Sequence, residues 1–211
     1  MNKRIFENAD CMEVMKRYPE NYFDLAIVDP PYGIGESGGK SKGRTIRKDG
    51  TYIPKKDKRN GAPIITKVPE YKVKEWDSEP VSLDVINEIR RVSKNQILWG
   101  ANHYANILPP SSGWIVWDKV NGDSDFSDCE LAWTSFCKGC RQIEYMWNGM
   151  LQGKSVFEGR VQQGNKKLNE TRIHPTQKPV ALYRWLLQNY AKPGDRLLDT
   201  HVGSASSLIA F

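Results

Sequence analysis

The feature that most constrains this chain is a short apolar run that ends abruptly at two prolines. Residues Asp24–Val28 are followed at once by Asp29-Pro30-Pro31-Tyr32. A compact apolar run that stops at turn-forming residues predicts a buried parallel strand. The two prolines lack N–H groups and restrict φ, so the backbone after the strand must be stiff and extended. The chain therefore places an acid and an aromatic ring where this strand ends.

Apolar spacing predicts further helices and strands. Helices are predicted over Cys11–Tyr18, Ser82–Val92 and Pro179–Tyr190, with another beginning at Leu208. Strands are predicted at Arg4–Phe6, Gln96–Trp99, Trp114–Asp118 and Arg196–Asp199, and an antiparallel hairpin at Glu130–Phe136 and Gln142–Trp147. This alternation predicts an α/β fold with a mostly parallel sheet and helices on both faces, and we expect one domain over residues 1–211.

Positive charge is concentrated in one segment. From Lys40 to Lys74 there are twelve lysines and arginines and three acidic residues, a net charge of +9 in a chain whose net charge is +6. This excess favours a polyanionic partner, although a solvated loop without a partner has the same pattern. Residues 33–76 are also rich in glycine and proline and show no period, so we interpret them as a flexible basic insertion.

Several features bear on membranes and metals. No apolar run approaches the roughly 20 residues that a membrane-spanning helix needs, and the N-terminus lacks the apolar core of a signal peptide. We therefore expect a cytoplasmic protein with no membrane partner and with its four cysteines reduced. Cys137 and Cys140 have the spacing of half a zinc site, but no second ligand pair is near in sequence, and we expect no bound metal.

The tetrapeptide Asp29-Pro30-Pro31-Tyr32 suits an amino group on an aromatic heterocycle. The Asp29 carboxylate and the Pro30 carbonyl can each accept one N–H, and the Tyr32 ring can stack on the heterocycle. Two acceptors that favour a tetrahedral nitrogen make the delocalised lone pair available for methylation. The methylated nitrogen is then strongly acidic, and a carboxylate of ordinary pKa near ~4 can take its proton. A rigid turn without a catalytic role is the alternative interpretation.

A second candidate site follows the last predicted strand. Asp199 ends that strand, and a loop of small residues, Gly203-Ser204-Ala205-Ser206, comes soon after. Small residues let a ligand approach the backbone closely, as in nucleotide-binding loops, and Asp199 could pair with an ammonium group. Both candidate sites leave strands at the edge of the sheet where open α/β folds bind ligands.

Together these residues resemble the DNA amino-methyltransferases that carry a D-P-P-Y motif, over Asp10–Ala210. Asp29–Tyr32 matches their catalytic motif. His174–Pro179 matches the H-P-T-x-K-P segment that precedes the cofactor loop in the circularly permuted members. Asp199–Ser206 is similar to that cofactor loop, and Asn8–Cys11 to the acidic segment before the catalytic strand. The likeness is greatest to phage or prophage members.

The resemblance implies a Rossmann-like fold that uses S-adenosylmethionine. Asp29 and Pro30 would bind the target amine, N6 of adenine by the D-P-P-Y form, and Tyr32 would stack on a base flipped out of duplex DNA. Cytosine N4 or an RNA base fits the same geometry, and a catalytically silent DNA-binding relative is an alternative of another class. The residues implied to hold the cofactor are Asp10, Asp199, Gly203 and Ser204, with Thr176 and Lys178 in support.

We expect the DNA-contacting parts in residues 33–76 and in residues 122–169, the second being a target-recognition region. Two departures from the family pattern stand out. Ala205 replaces a glycine of the cofactor loop. The family also continues to a further strand whose terminal acid binds the cofactor ribose, whereas this chain ends at Phe211. We therefore expect a C-terminally shortened domain.

Overall fold

The structure is a computed structural model. It describes residues 4–35, 39–40, 55–56, 63–64, 70–71, 76–121, 127–148, 151–173 and 176–211. The α-helices of these residues are α1 (Cys11–Met15), α2 (Leu83–Val92), α3 (Val180–Tyr190) and α4 (Ser206–Ala210). Short 3₁₀ helices lie at Ala101–His103, Ala105–Ile107 and Lys166–Leu168.

Twelve strands lie in the described part of the chain. They are β1 (Phe23–Val28), β2 (Gly39–Lys40), β3 (Lys55–Lys56), β4 (Pro63–Ile64), β5 (Glu70–Tyr71), β6 (Ser93–Trp99), β7 (Trp114–Asp118), β8 (Cys129–Thr134), β9 (Arg141–Glu144), β10 (Trp147–Asn148), β11 (Leu151–Gln152) and β12 (Leu197–Leu198). Six form the main sheet in the order β12-β1-β6-β8-β7-β9. The others form three two-stranded pairs, β2 with β5, β3 with β4, and β10 with β11.

The predicted α/β class is confirmed, and the sheet is mixed. β1 is parallel to both of its neighbours, with Leu25 opposite Leu197 of β12 and opposite Asn95 of β6. β8 runs antiparallel to β6 and to β7, whereas β7 and β9 are parallel. Because β1, β6 and β12 run the same way, the loops after β1 and β12 leave the same edge of the sheet.

Helices cover both faces of the sheet, as predicted. The side chains of β1 alternate between the two faces, and each face packs against its own apolar core. Leu25 and Ile27 belong to one core, which also contains Leu182 and Leu186 of α3. Ala26 and Val28 belong to the other, which α1 and α2 supply with Met15, Ile86, Ile89 and Val92. The strand that precedes Asp29 is thus held from both sides, which fixes where the tetrapeptide begins.

The two helices on the second face begin at capping residues. Ser82 is the N-cap of α2 and accepts the N–H of Val85 at its Oγ over 3.4 Å. Asp10 caps α1, since its Oδ1 accepts the N–H groups of Met12 and Glu13 over 2.8 and 3.2 Å. These bonds satisfy amide groups that a helix leaves unpaired at its N-terminus.

Two strand predictions were wrong. No strand forms at Arg4–Phe6, and the side chains of Ile5 and Phe6 are exposed. The two segments of the predicted hairpin do form strands, but β8 and β9 do not pair with each other, because β7 lies between them. One face of β7 carries the buried side chains of Ile115 and Trp117, and the partly buried Trp114 on the other face packs against the second core. An interior strand needs a partner on each edge, and β8 and β9 fill those two places.

Some predictions fall outside the described residues. Most of the basic insertion at residues 33–76 does, as do residues 122–126 and 149–150 of the predicted target-recognition region and residues 174–175. The single-domain interpretation stays a prediction. Within the described ranges, no helix combines the length and hydropathy needed to cross a membrane.

The loop before α4 holds a non-glycine residue in the left-handed region, Ala205, with φ 61° and ψ 18°. A Cβ at such a position costs about 1 kcal/mol, so we predict that Ala205→Gly raises the free energy of unfolding by about this amount. Urea denaturation measures it. Ala191→Gly is the matched control, because Ala191 has φ −109° and glycine there should lower stability. A lower stability for Ala205→Gly would contradict the strain.

Candidate active site

The D-P-P-Y tetrapeptide is anchored to the segment that precedes α2. The N–H groups of Tyr32 and Gly33 both donate to Oδ1 of Asp77, over 2.8 and 2.9 Å. The carbonyl of Pro31 accepts the N–H of Val81 over 3.1 Å. These hydrogen bonds satisfy backbone groups of Pro31, Tyr32 and Gly33 that have no partner in the main sheet. They also fix the tetrapeptide to the segment before α2.

The ring of Tyr32 is packed between two residues that follow β6. A Cβ added to Gly100 would lie 2.0, 2.2 and 2.4 Å from three consecutive ring atoms, which places the Gly100 backbone over a face of the ring and not beyond its rim. His103 stacks on Tyr32, with ring centroids 5.2 Å apart and an interplanar angle of 14°. Gly100 has φ +66°, so both its conformation and the contact require glycine.

The carboxylate of Asp29 is held through one oxygen. Its Oδ1 accepts the hydroxyl of Tyr32 over 2.5 Å and the ammonium of Lys178 over 2.6 Å. Lys178 also donates to the Tyr32 hydroxyl over 2.8 Å, which closes a triangle of three polar groups. Among the residues that the structure describes, none donates to Oδ2 of Asp29. That oxygen is therefore left for a group from outside.

The ammonium of Lys178 is deeply buried and has a second acidic neighbour. The Lys178 side chain is 3% exposed, and Oε2 of Glu130 lies 3.0 Å from its Nζ. The other oxygen of Glu130 is 2.5 Å from Nζ of Lys119. Burial would raise the pKa of Glu130, but Lys178 and Lys119 lower it to about 2. Burial would lower the pKa of Lys178, but Asp29 and Glu130 raise it above its ordinary value.

Asp199 lies at the end of β12, beside β1. Its Oδ1 accepts the N–H of His201 over 2.9 Å and its Oδ2 accepts the hydroxyl of Ser207 over 2.5 Å. Burial, with a smaller contribution from the negative charge of Asp29, raises the pKa of Asp199 to about 6 although these two hydrogen bonds oppose the shift. Because β12 is paired parallel to β1, Asp29 and Asp199 follow neighbouring strands at one edge of the sheet.

The structure places the other predicted residues in different surroundings. Gly203 is exposed with φ +53°, and the hydroxyl of Ser204 lies 3.0 Å from that of Ser206. Asp10 and Thr176 are exposed, and Asp10 accepts the two hydrogen bonds of the α1 cap. Lys178, which the resemblance implied as a support for the cofactor, contacts Asp29 instead.

Sequence reasoning missed three residues of this site. His103 had no visible partner in the sequence, Glu130 was assigned only to a strand, and Asp77 was not singled out. The contacts of Asp77 and His103 with the tetrapeptide, and of Glu130 with Lys178, span 44 to 71 residues, so no local spacing reports them. Glu130 carried the one available signal, because a charged residue opening an otherwise apolar strand must find a buried partner.

No metal centre is found among the side chains that the structure describes, since no three His, Cys, Asp or Glu residues there are grouped closely enough. Cys137 and Cys140 are both exposed and free.

Comparisons with known proteins bear on the family of this chain. Residues 119–211 match a family model for N6/N4 enzymes that is described as DNA methylase. The chain is 23% identical to "Type II methyltransferase M.HinfI" of Haemophilus influenzae, over 94% of this chain and 59% of that protein. It is 27% identical to "Putative methylase YubD" of Escherichia coli (strain K12), over 97% of this chain and 78% of that protein. These likenesses support a DNA methylase family.

The family model and the alignments with the two relatives extend over different lengths of this chain. The family model includes Glu130, Lys178 and Asp199, and it begins after Asp29. The alignments with the two relatives extend over nearly the whole chain. The chain spans about three-fifths of the length of the Haemophilus relative, where the alignment covers 59%.

The raised pKa of Asp199 makes a prediction about stability. A carboxylic acid whose pKa is higher in the folded state, about 6 here, destabilises the fold when it ionises, so the cost grows as pH rises from about 4 to about 7. We predict that Asp199→Asn gains stability relative to the wild type over this window. Denaturation at pH 4, 6 and 8 measures the gain. The control is Asp84→Asn, at an exposed position of α2. An equal difference at all three pH values would argue against a buried Asp199 charge.

Proposed function

We propose that this chain is an S-adenosylmethionine-dependent DNA methyltransferase that methylates an exocyclic amino group, N6 of adenine. The observation that carries the proposal is the one-sided anchoring of Asp29 at the sheet edge shared with the Asp199 loop. The likeness to DNA methylases supports the reaction class. The choice of adenine over cytosine N4 rests on the D-P-P-Y resemblance, since both amines offer the same donors.

Asp29 would act on the amine through its free oxygen. With Oδ1 bonded to Tyr32 and Lys178, the carboxylate cannot rotate freely, and Oδ2 is presented in a fixed direction. A hydrogen bond from the amine to Oδ2 and another to the Pro30 carbonyl would hold the nitrogen in a tetrahedral arrangement. Asp29 would then take the proton that the methylated nitrogen loses. The anchoring contributes by fixing this geometry before the substrate arrives.

The residues around Asp199 fit the methionine end of S-adenosylmethionine. Each carboxylate oxygen of Asp199 already accepts one hydrogen bond and can accept another, so an ammonium group can still pair with it. Gly203 and Ser204 offer backbone that a ligand can approach closely. When bound, the cofactor supplies a methyl group on a positively charged sulfur. Asp10 and Thr176 complete the set by the resemblance alone.

The target base would stack on Tyr32, and this requires a rearrangement. Gly100 covers one face of the ring, and His103 stacks on the ring as well. A base that is flipped out of duplex DNA would therefore have to displace His103 to reach the Tyr32 face. His103 is exposed on a short 3₁₀ helix, so its side chain has room to turn outward.

DNA binding would draw on basic residues outside the catalytic edge. We assign this to residues 33–76, where the positive charge of the sequence is concentrated, and to residues 122–169. In the described part of the second region, Lys154, Arg160, Lys166 and Lys167 are exposed. Contacts of lysine and arginine with phosphates release counterions, so binding should weaken as salt rises.

The central prediction concerns Asp29. We expect the wild type to transfer tritiated methyl groups from S-adenosylmethionine to DNA that lacks amino-methylated bases, and Asp29→Ala to lose at least about 100-fold in rate, since general-base residues contribute about 10²–10⁴-fold. Asp24→Ala, in the same strand, is the matched control. Mass analysis of nucleosides then identifies the product. N4-methylcytosine would correct the base, and a fully active Asp29→Ala would refute the mechanism.

A second prediction concerns His103. Because a stacked pair of this kind contributes about 0.5–1.5 kcal/mol, His103→Ala should lower the KM for DNA by about two- to tenfold and leave kcat unchanged. His103→Phe keeps a ring on Tyr32 and should not show this gain. Fluorescence of 2-aminopurine at the target position reports flipping directly. A raised KM for His103→Ala would instead mean that the imidazole contacts the DNA.

A further inference from the structure

Four charged side chains of alternating sign meet beside the tetrapeptide, in the order Lys119, Glu130, Lys178 and Asp29. The contacts between successive members are 2.5, 3.0 and 2.6 Å. They come from four places in the fold, after β7, in β8, before α3 and after β1. The side chains are between 3% and 22% exposed, so water screens these charges weakly.

Glu130 changes what Lys178 does to Asp29. If Lys178 faced Asp29 alone, its full charge would compete with any other donor for the carboxylate. Glu130 lies on the other side of the same ammonium and shares its charge, and the four-residue group is formally neutral. Removing the charge of Glu130 would leave two cations, Lys119 and Lys178, beside the single carboxylate of Asp29, which would then be a poorer acceptor for protons and amines.

We propose that Glu130 is a positioning residue that acts through Lys178 to keep the Asp29 carboxylate a strong acceptor with its Oδ2 open to the amine. This inference rests on the proposed function, because it concerns the strength of Asp29 as an acceptor during methyl transfer. Glu130 itself does not touch Asp29 in the described structure. Its backbone pairs with Trp117 of β7, and its side chain is held between the ammonium groups of Lys119 and Lys178.

Other titratable groups face the same group of charges. From the surrounding elements they are Tyr32 after β1, Tyr104 after β6, Tyr183 in α3, and Asp199 and His201 after β12. The three tyrosines have pKa values raised well above the ordinary one by burial, and so stay neutral through the acidic range. Asp199 and His201 are unchanged in every variant below, so a difference between variants reports on the four charges.

The test is the single-turnover rate of methyl transfer against pH, at saturating cofactor and DNA. For Glu130→Gln we expect a rate about tenfold lower at pH 8. We also expect the acidic limb of the pH profile, where the rate falls as pH is lowered, to move to lower pH by about one unit. The affinities for S-adenosylmethionine and DNA should stay within about twofold. Glu130→Asp keeps the charge and should restore the position of the limb. Glu88→Gln, which removes a glutamate from an ion pair with Arg91 outside the proposed DNA-binding regions, is the matched control.

Lys119→Met tests the role of Glu130 by removing the cation at the opposite end of the four charges from Asp29. This change leaves Glu130 to Lys178 alone, so the group gains one net negative charge and the acidic limb should move to higher pH. The variant also serves if Glu130→Gln does not fold, as judged by thermal melting. Opposite shifts for the two variants support the proposal. Unchanged limbs, or shifts in the same direction, would overturn it.

The proposed function and this inference fail in distinguishable ways. A wild-type protein that transfers no methyl group to DNA would remove the proposed function, whatever the variants do. A wild type that methylates DNA, with Glu130→Gln folded and matching its rate and pH profile, would remove only the role of Glu130.

Discussion

The pairing of the buried Lys178 with the carboxylates of Asp29 and Glu130 is the interaction on which the candidate active site depends. An ammonium that is 3% exposed is very costly to bury unless it is paired and hydrogen-bonded. Lys178 therefore needs Asp29 and Glu130 nearby, and this requirement ties β1, β8 and the segment before α3 into one arrangement. The same requirement determines how Asp29 is presented, because the lysine and Tyr32 both occupy Oδ1. A contact that stabilises the fold thus also fixes the orientation of the Asp29 carboxylate through one of its two oxygens.

The fold supplies the frame for that arrangement through β1. Its alternating side chains enter two separate cores, with α3 on one face and α1 and α2 on the other. Because β12 is parallel to β1, the Asp199 loop ends beside the tetrapeptide. Two carboxylates, Asp29 and Asp199, therefore follow neighbouring strands at one edge of the sheet. Burial is the main cause of the raised pKa of Asp199, and the negative charge of Asp29 adds to it.

Much of this was predictable from the sequence where the information is local. The helix at Leu83–Val92 follows from the spacing of its apolar residues, and β1 follows from an apolar run that ends at prolines. The hairpin was wrong, because β8 and β9 are near in sequence while their pairing is decided by β7. Motif and loop composition identified Asp29 and Asp199. They could not reveal that Lys178 bonds to Asp29, a contact across 149 residues, or that Glu130 lies behind it.

The central claim is that Asp29 is held by one oxygen and offers the other to the target amine. A crystal structure of the chain with an unreactive S-adenosylmethionine analogue and duplex DNA carrying its methylation site tests this most directly. We predict that Oδ1 stays bonded to Lys178 while Oδ2 lies within hydrogen-bond distance of the exocyclic nitrogen of a flipped base. A base whose amino group contacts neither Asp29 nor the Pro30 carbonyl would contradict the account.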